Sequence, residues 1–127
     1  MTNIRKATIL SSPEGALPAE FYTSERCYIT ELLNDPDDAT TSVARARVAP
    51  GVQTQLHSLA VVERYLIEQG NGLMELDGGR EIEVGVGDRV LIPAGCSQRI
   101  RNTGETDLLF LCICTPRFLP EHYQNLE

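Results

Sequence analysis

Histidine and basic residues are both scarce in this chain. It has two histidines, His57 and His122, and 11 lysines and arginines against 18 aspartates and glutamates. The formal charge of −7 would repel a phosphate backbone or an anionic lipid surface, so we expect neither nucleic acid nor a membrane as a partner. No apolar run approaches the roughly 18 residues of a membrane-spanning helix, and residues 1–10 lack the apolar segment of a secretion signal. We therefore expect a cytoplasmic protein.

Common signatures of cysteine and phosphate chemistry are also missing. None of the four cysteines belongs to a C-x-x-C pair, and without a secretion signal a disulfide framework is not expected. Cys112 and Cys114 lie two positions apart in an apolar run, so both should point to one face of a strand as small buried side chains. No glycine-rich phosphate loop or exposed nucleophile signature narrows the choice of substrate.

The sequence pattern predicts short strands and little helix. Its 127 residues, 42% apolar and 23% charged, suit one ordinary globular domain over 1–127. Beyond the termini no helical period is sustained, while β-prone runs recur about every 8 to 12 residues between turns, which predicts an all-β sandwich or barrel. We expect N-terminal strands and a loop over 1–41, the barrel over 42–115 and a tail over 116–127.

Strands are predicted at residues 4–10, 27–33, 42–48, from 63 onward, 73–76, 81–84, 89–92, 98–101 and 108–114. The Asp77–Gly78 pair predicts a hairpin between the fifth and sixth of these runs. Arg45 and Arg47 share one face of the run 42–48, where an exposed or dimer-facing position is favoured over an anion site. Residues 121–123 could form a helical turn, with His122 in solvent.

The stretch from Pro50 to Gly70 carries the residues best suited to chemistry. His57 lies six positions before Glu63, which opens a run with the apolar character of a buried strand. A histidine beside a carboxylate can hold a metal ion or move a proton.

Two segments of the chain resemble the paired signature motifs of the cupin superfamily. The first family motif, G-x5-H-x-H-x3-4-E-x6-G, and the second, G-x5-P-x-G-x2-H-x3-N, both occur here with every interval kept. Their ten positions fall, in order, on Gly51, His57, Leu59, Glu63, Gly70, Gly87, Pro93, Gly95, Gln98 and Asn102. The resemblance implies a double-sheet jelly-roll barrel, usually a homodimer, with a small-molecule pocket.

The two departures fall on residues that hold a metal in metal-binding cupins. Leu59 replaces the second histidine of the first motif, and Gln98 replaces the histidine of the second. Carried over residue by residue, the resemblance implies at most three ligands, His57, Glu63 and Gln98, for one divalent iron, manganese, nickel, zinc or copper ion. One imidazole and two oxygen donors make a weaker and less selective site than three histidines.

Three functions follow from this site. With a metal, the protein would act as an enzyme of isomerase, lyase or oxygenase type on a small oxygenated metabolite. Without a metal, His57 and Glu63 could shuttle a proton, since desolvation should raise the pKa of the carboxyl and lower that of the imidazole. Alternatively, the barrel binds or senses a small ligand without turnover, and His57 and Glu63 only satisfy each other inside the pocket. Instead of binding a metal, Gln98 could hydrogen-bond to His57 or Glu63 and set their orientation. Pocket-lining candidates are Leu59, Tyr65, Ile67, Gln98, Phe110 and Cys112.

Overall fold

The computed structural model describes residues 7–10 and 18–127. Eleven strands and one 3-10 turn, Pro120–His122, make up the regular structure within these ranges. The strands are β1 (Phe21–Tyr22), β2 (Tyr28–Leu33), β3 (Ser42–Val48), β4 (His57–Leu59), β5 (Val62–Gln69), β6 (Gly72–Leu76), β7 (Arg80–Val84), β8 (Arg89–Ile92), β9 (Gln98–Asn102), β10 (Leu108–Thr115) and β11 (Tyr123–Asn125).

These strands form two antiparallel sheets. One has six strands in the order β1-β2-β3-β10-β5-β8, and the other has five in the order β11-β4-β9-β6-β7. Strands that are distant in sequence are neighbours in both sheets, as β3 and β10 are, so the chain alternates between the sheets as it winds. The predicted all-β jelly-roll fold is confirmed.

The core lies between the two sheets and draws on both. Val48, Ile67 and Phe110 come from the six-stranded sheet, Met74 and Ile100 from the five-stranded sheet, and none is more than 2% exposed. Burying each such side chain contributes about 1.5–3 kcal/mol to folding. A smaller apolar cluster of Leu59, Val61 and Cys114, with Phe118 and Tyr123 against it, lies apart from this core.

Several strand boundaries agree with the sequence pattern. The runs 42–48 and 89–92 are β3 and β8, and the predicted hairpin joins β6 to β7. At its turn Asp77 has φ 53° and Gly78 has φ 76°, the left-handed geometry that an Asp-Gly pair tolerates and that matches the twist of two paired strands.

Other expectations for the two ends of the chain differ from the structure. Of the predicted first strand, residues 4–6 lie outside the described residues and residues 7–10 form no strand. The predicted helical turn at 121–123 is a 3-10 turn that ends at His122, because Tyr123 begins β11 and pairs with β4. His122 is half-buried rather than solvated, and its Nδ1 accepts a hydrogen bond from the Leu119 N–H at 3.0 Å.

The structure also contains short strands that the pattern did not predict, β1, β4 and β11, of two or three residues each. Within the described part of the chain, no helix is long and apolar enough to cross a membrane.

Candidate functional site

A cavity of about 180 Å³ opens between β2, β3, β10 and β5 of the six-stranded sheet and β4 of the five-stranded sheet. Its walls include His57 and Glu63, the two residues predicted to carry chemistry, together with Leu59, Tyr65 and Phe110. Strand alternation explains this placement, because Glu63 and Tyr65 lie two positions apart on β5 and share a face. The half-buried Cys112 lines the same cavity.

Gln98 lies beneath this wall and links two of its residues. It is fully buried, its Nε2 donates to Glu63 Oε1 at 2.8 Å, and its Oε1 accepts from the Tyr65 hydroxyl at 2.7 Å. The Tyr65 ring is held in turn by stacking on Phe110, with centroids 4.4 Å apart. Both polar ends of the Gln98 amide therefore have protein partners, and they fix the orientation of Glu63. Ile67, expected beside these residues, belongs to the main core instead.

Glu63 is a buried carboxyl, 6% exposed. Burial raises its pKa to about 7. The hydrogen bond from Gln98 opposes this effect, the charge of Glu25 adds to it, and the thiols of Cys112 and Cys114 oppose it. The Cys114 thiol lies 3.9 Å from Glu63 Oε2, and thiols are weak hydrogen-bond donors. Glu63 is thus a group that can hold or release a proton near neutral pH.

His57 sits on β4, opposite Gln98 on β9, and is 4% exposed. Its Nδ1 lies 2.7 Å from the carbonyl oxygen of Gln55, which can only accept, so the proton is assigned to Nδ1 and the lone pair to Nε2. The ring stacks on Tyr123 of β11, with centroids 4.8 Å apart. Burial lowers the pKa of His57, although the Gln55 hydrogen bond opposes this effect, so the imidazole is neutral near pH 7.

Glu25 is a site residue that the sequence did not reveal. Its Oε1 lies 3.9 Å from His57 Nε2, and its carboxyl lines the same cavity. Burial raises the pKa of this half-buried carboxyl to about 6. With His57 neutral, the contact is between two polar groups rather than an ion pair, and one small ligand atom could touch both.

The loop that carries Glu25 is fixed in place by its neighbours. The Glu25 carbonyl accepts from the Gln55 N–H at 3.1 Å, Arg26 Nε donates to the Gln53 carbonyl at 2.9 Å, and Arg26 pairs with Glu127 at 2.7 Å. Arg26 itself has φ 67°, which turns the chain sharply into β2. No motif places an acidic residue here; the only sequence signal is that Glu25 comes just before a predicted strand.

The donor set does not fit a divalent metal ion. In the described part of the chain no three His, Cys, Asp or Glu side chains are grouped as metal ligands. Leu59 has no lone pair, and the Gln98 oxygen already accepts a hydrogen bond from Tyr65, so the motif positions supply one imidazole nitrogen, one carboxyl and one hydrogen-bonded amide oxygen. The predicted set of His57, Glu63 and Gln98 is therefore a poor match to the nitrogen-rich or sulfur-rich donors that iron, manganese, nickel, zinc or copper sites prefer.

Comparison with known proteins supports the fold. An oxalate-binding protein from Thermotoga maritima is 37% identical over 71 residues, which cover 55% of this chain and 58% of that protein. The chain thus spans little more than half the length of this curated relative.

Solved structures with the same fold have lower identity. The oxalate decarboxylase of Lactobacillus farciminis, in a formate complex, superposes with a TM-score of 0.75 at 20% identity, over 86% of this chain and 33% of that one. The polyketide cyclase RemF of Streptomyces resistomycificus gives 0.73 at 22%, over 87% and 80%. A histidine-to-glutamine variant of Streptomyces PAC13 with uridine gives 0.76 at 15%, over 95% and 92%. The sequence pattern of the cupin domain family matches residues 44–114, which is more than half of the chain. The chain therefore belongs to the cupin domain family.

Proposed function

We propose that this protein is a metal-independent acid–base catalyst, of isomerase or lyase type, acting on a small oxygenated molecule bound in the cavity. The observation that carries the proposal is that a neutral imidazole and two carboxyls, His57, Glu25 and Glu63, all face one cavity. The pKa values of Glu25, about 6, and Glu63, about 7, lie near neutral pH, and the neutral imidazole of His57 can accept a proton.

The three groups would take different parts in a proton transfer. His57 Nε2, with its lone pair exposed to the cavity, removes a proton from the carbon next to a substrate carbonyl. The electron pair of the broken C–H bond moves into a carbon–carbon double bond, and the carbonyl oxygen takes the proton of the Glu63 acid. Glu25, 3.9 Å from the same nitrogen, stabilises the imidazolium that forms.

This chemistry can be tested before the natural substrate is known. The protein is incubated in D2O with hydroxyacetone and with 2-indanone, two small neutral carbon acids, and loss of the α-proton signal is followed by NMR. We expect exchange faster than in buffer, a loss of about 100-fold or more in His57→Ala, and a comparable loss in Glu63→Gln. His122→Gln is the matched control, because that histidine lies outside the cavity.

Exchange no faster than in buffer with either probe, or full exchange in His57→Ala, would refute the proposal. Near-ultraviolet circular dichroism of each variant separates loss of a catalytic group from loss of the fold.

Ligand binding without turnover is the second candidate. It is favoured by the relative that is named as a binding protein and by the hydrogen bonds that already occupy one oxygen of Glu63. In that case small molecules would bind in the cavity, while exchange in D2O would stay at the buffer rate for every probe. A homodimer, a cytoplasmic location and a single domain over residues 1–127 stay predictions.

A further inference from the structure

The ionisable side chains around the cavity include more acidic than basic groups. Three carboxyls line it, Glu25, Glu31 and Glu63, together with His57, whereas no arginine or lysine within the described ranges does so. The tyrosines and thiols on the walls add no positive charge, and burial raises the pKa of Tyr65, Tyr123, Cys27, Cys112 and Cys114, so these groups stay neutral at pH 7. At neutral pH the cavity is therefore neutral to negative.

The arginines near the barrel form ion pairs or hydrogen bonds with side chains outside or at the edge of the cavity. On the outer face of β3, Arg45 pairs with Glu68 at 2.9 Å, and Arg47 pairs with Glu20 at 2.7 Å and with Asp107. Arg117 Nε donates to the side chain of the wall residue Asn34 at 2.8 Å, and Arg26, between the wall residues Glu25 and Cys27, pairs with Glu127 at 2.7 Å. A bound anion would therefore meet carboxyls without a facing cation.

The remaining walls combine apolar side chains, several of them rings, with the neutral polar side chains of Thr23, Asn34, Ser42 and Thr54. Phe21, Leu59, Phe110, Phe118 and Tyr123 all line the cavity. An apolar protein cavity of about 150 Å³ accommodates benzene, so a cavity of about 180 Å³ suits one substituted ring. Among the ionisable groups of the walls, His57 Nε2 and the ionised carboxyl oxygens act as hydrogen-bond acceptors, and no arginine or lysine of the described residues faces them.

We propose that the cavity selects ring-sized compounds that carry a hydroxyl or an amino group, and that it rejects carboxylates, oxalate included. The ligand class would then differ from the one named for the Thermotoga maritima relative. Hydroxyl and amino hydrogens can donate to His57 and the carboxyls, whereas a carboxylate brings like charges together. The proposal rests on the proposed function in one respect, since it places the ligand in the same cavity.

Three probes with one ring test this selection: benzylamine, benzyl alcohol and benzoate, with oxalate as the fourth ligand. Binding is measured by calorimetry at about pH 8. We expect benzyl alcohol and benzylamine to bind at least about tenfold more tightly than benzoate, and oxalate not to bind. The double variant Glu25→Gln and Glu63→Gln should reduce the preference for benzyl alcohol over benzoate by at least about tenfold, because it removes two negative charges.

Ala44→Phe tests where the probes bind, since Ala44 lines the cavity and a phenyl group would fill it. We expect this variant to lose benzyl alcohol binding while its thermal unfolding stays cooperative. Equal or tighter binding of benzoate or oxalate, binding unchanged in a folded Ala44→Phe, or no binding of any probe would overturn the inference. If the protein prefers benzyl alcohol to benzoate but catalyses no exchange in D2O, the proposed catalysis fails and the ligand selection stands. If exchange occurs but benzoate binds as tightly as benzyl alcohol, the ligand selection fails and the proposed catalysis stands.

Discussion

The replacement Glu63→Gln should remove most of one specific pH dependence from the stability of the fold. Glutamine keeps the shape of a protonated carboxyl and an oxygen that can accept from Gln98, but it cannot ionise. At a pH where Glu63 is protonated in both the folded and the unfolded chain, wild type and variant differ only in packing and hydrogen bonding. Any change, at higher pH, in the difference between their free energies of unfolding reports the titration of Glu63.

The sign follows from the direction of the pKa shift. Burial raises the pKa of Glu63 in the folded chain from 4.5 to about 7. Between these values the unfolded chain has released the proton and the folded chain still holds it, so the free energy of unfolding falls as pH rises. A shift of this size corresponds to a loss of about 3 kcal/mol, complete above pH 7 and absent below pH 4.5.

Urea unfolding at about pH 4 and pH 8, for wild type and Glu63→Gln, measures this quantity as a double difference. Glu25, whose raised pKa gives the same sign, and His57, whose lowered pKa gives the opposite sign, contribute to both proteins, so that only their coupling to Glu63 stays in the double difference. We expect wild type to lose about 3 kcal/mol relative to the variant across this range. A double difference below about 0.5 kcal/mol would mean that Glu63 is not desolvated, and the proton-transfer site would lose its acid.

Three further replacements test the hydrogen bonds and the donor set. Tyr65→Phe removes the donor to Gln98 and should lower the free energy of urea unfolding by about 1–2 kcal/mol, while the exposed Tyr22→Phe should change it by less than about 0.5 kcal/mol. Asn102→Ala removes a buried amide that donates to two backbone carbonyls and accepts from a backbone N–H, and should cost about 2–4 kcal/mol in the same assay. Leu59→His combined with Gln98→His supplies two imidazoles and should raise Ni²⁺ affinity in calorimetry by at least about tenfold.

Each of these predictions has an outcome that contradicts it. Equal losses in Tyr65→Phe and Tyr22→Phe would mean that the buried phenol makes no net contribution. Unchanged stability in Asn102→Ala would mean that water replaces the amide. Unchanged Ni²⁺ affinity in the double-histidine variant would mean that positions 59 and 98 do not converge with His57.

The strands that sequence analysis located share a physical cause. Strand β3 alternates buried and partly exposed residues, and the β6–β7 hairpin is bounded by residues that accept left-handed backbone angles. Strands β4 and β11, three residues each, are too short for alternation to be detected, and they exist because they pair with each other. Their pairing stacks Tyr123 on His57, a contact between residues far apart in sequence.

The candidate site likewise contains residues that the sequence located and residues that it did not. Motif spacing located His57 and Glu63 because the cupin motifs fix the intervals between their positions; alternation supports this only for Glu63 on β5, since all three residues of β4 are buried. Glu25 could not be located in this way, since a loop brings it to the cavity and the loop is held by Arg26 and by the backbone of Gln55. The roles of Gln98 depended on which partners its amide found, and composition or spacing does not determine that.

Gln98 connects the weak fit for a metal to the proposed proton chemistry. A cation beside a carboxyl favours its ionised form and lowers its pKa, whereas burial without a cation raises it. The glutamine substitutes a neutral amide for an imidazole ligand, and its two hydrogen bonds hold Glu63 and Tyr65 in place without an ion. The same replacement that removes a metal ligand therefore leaves Glu63 oriented, desolvated and able to exchange a proton near neutral pH. On this argument a cation at His57 and Glu63 and a Glu63 pKa of about 7 exclude each other, so a rebuilt site loaded with metal should abolish the loss of stability that Glu63 causes between about pH 4.5 and pH 7.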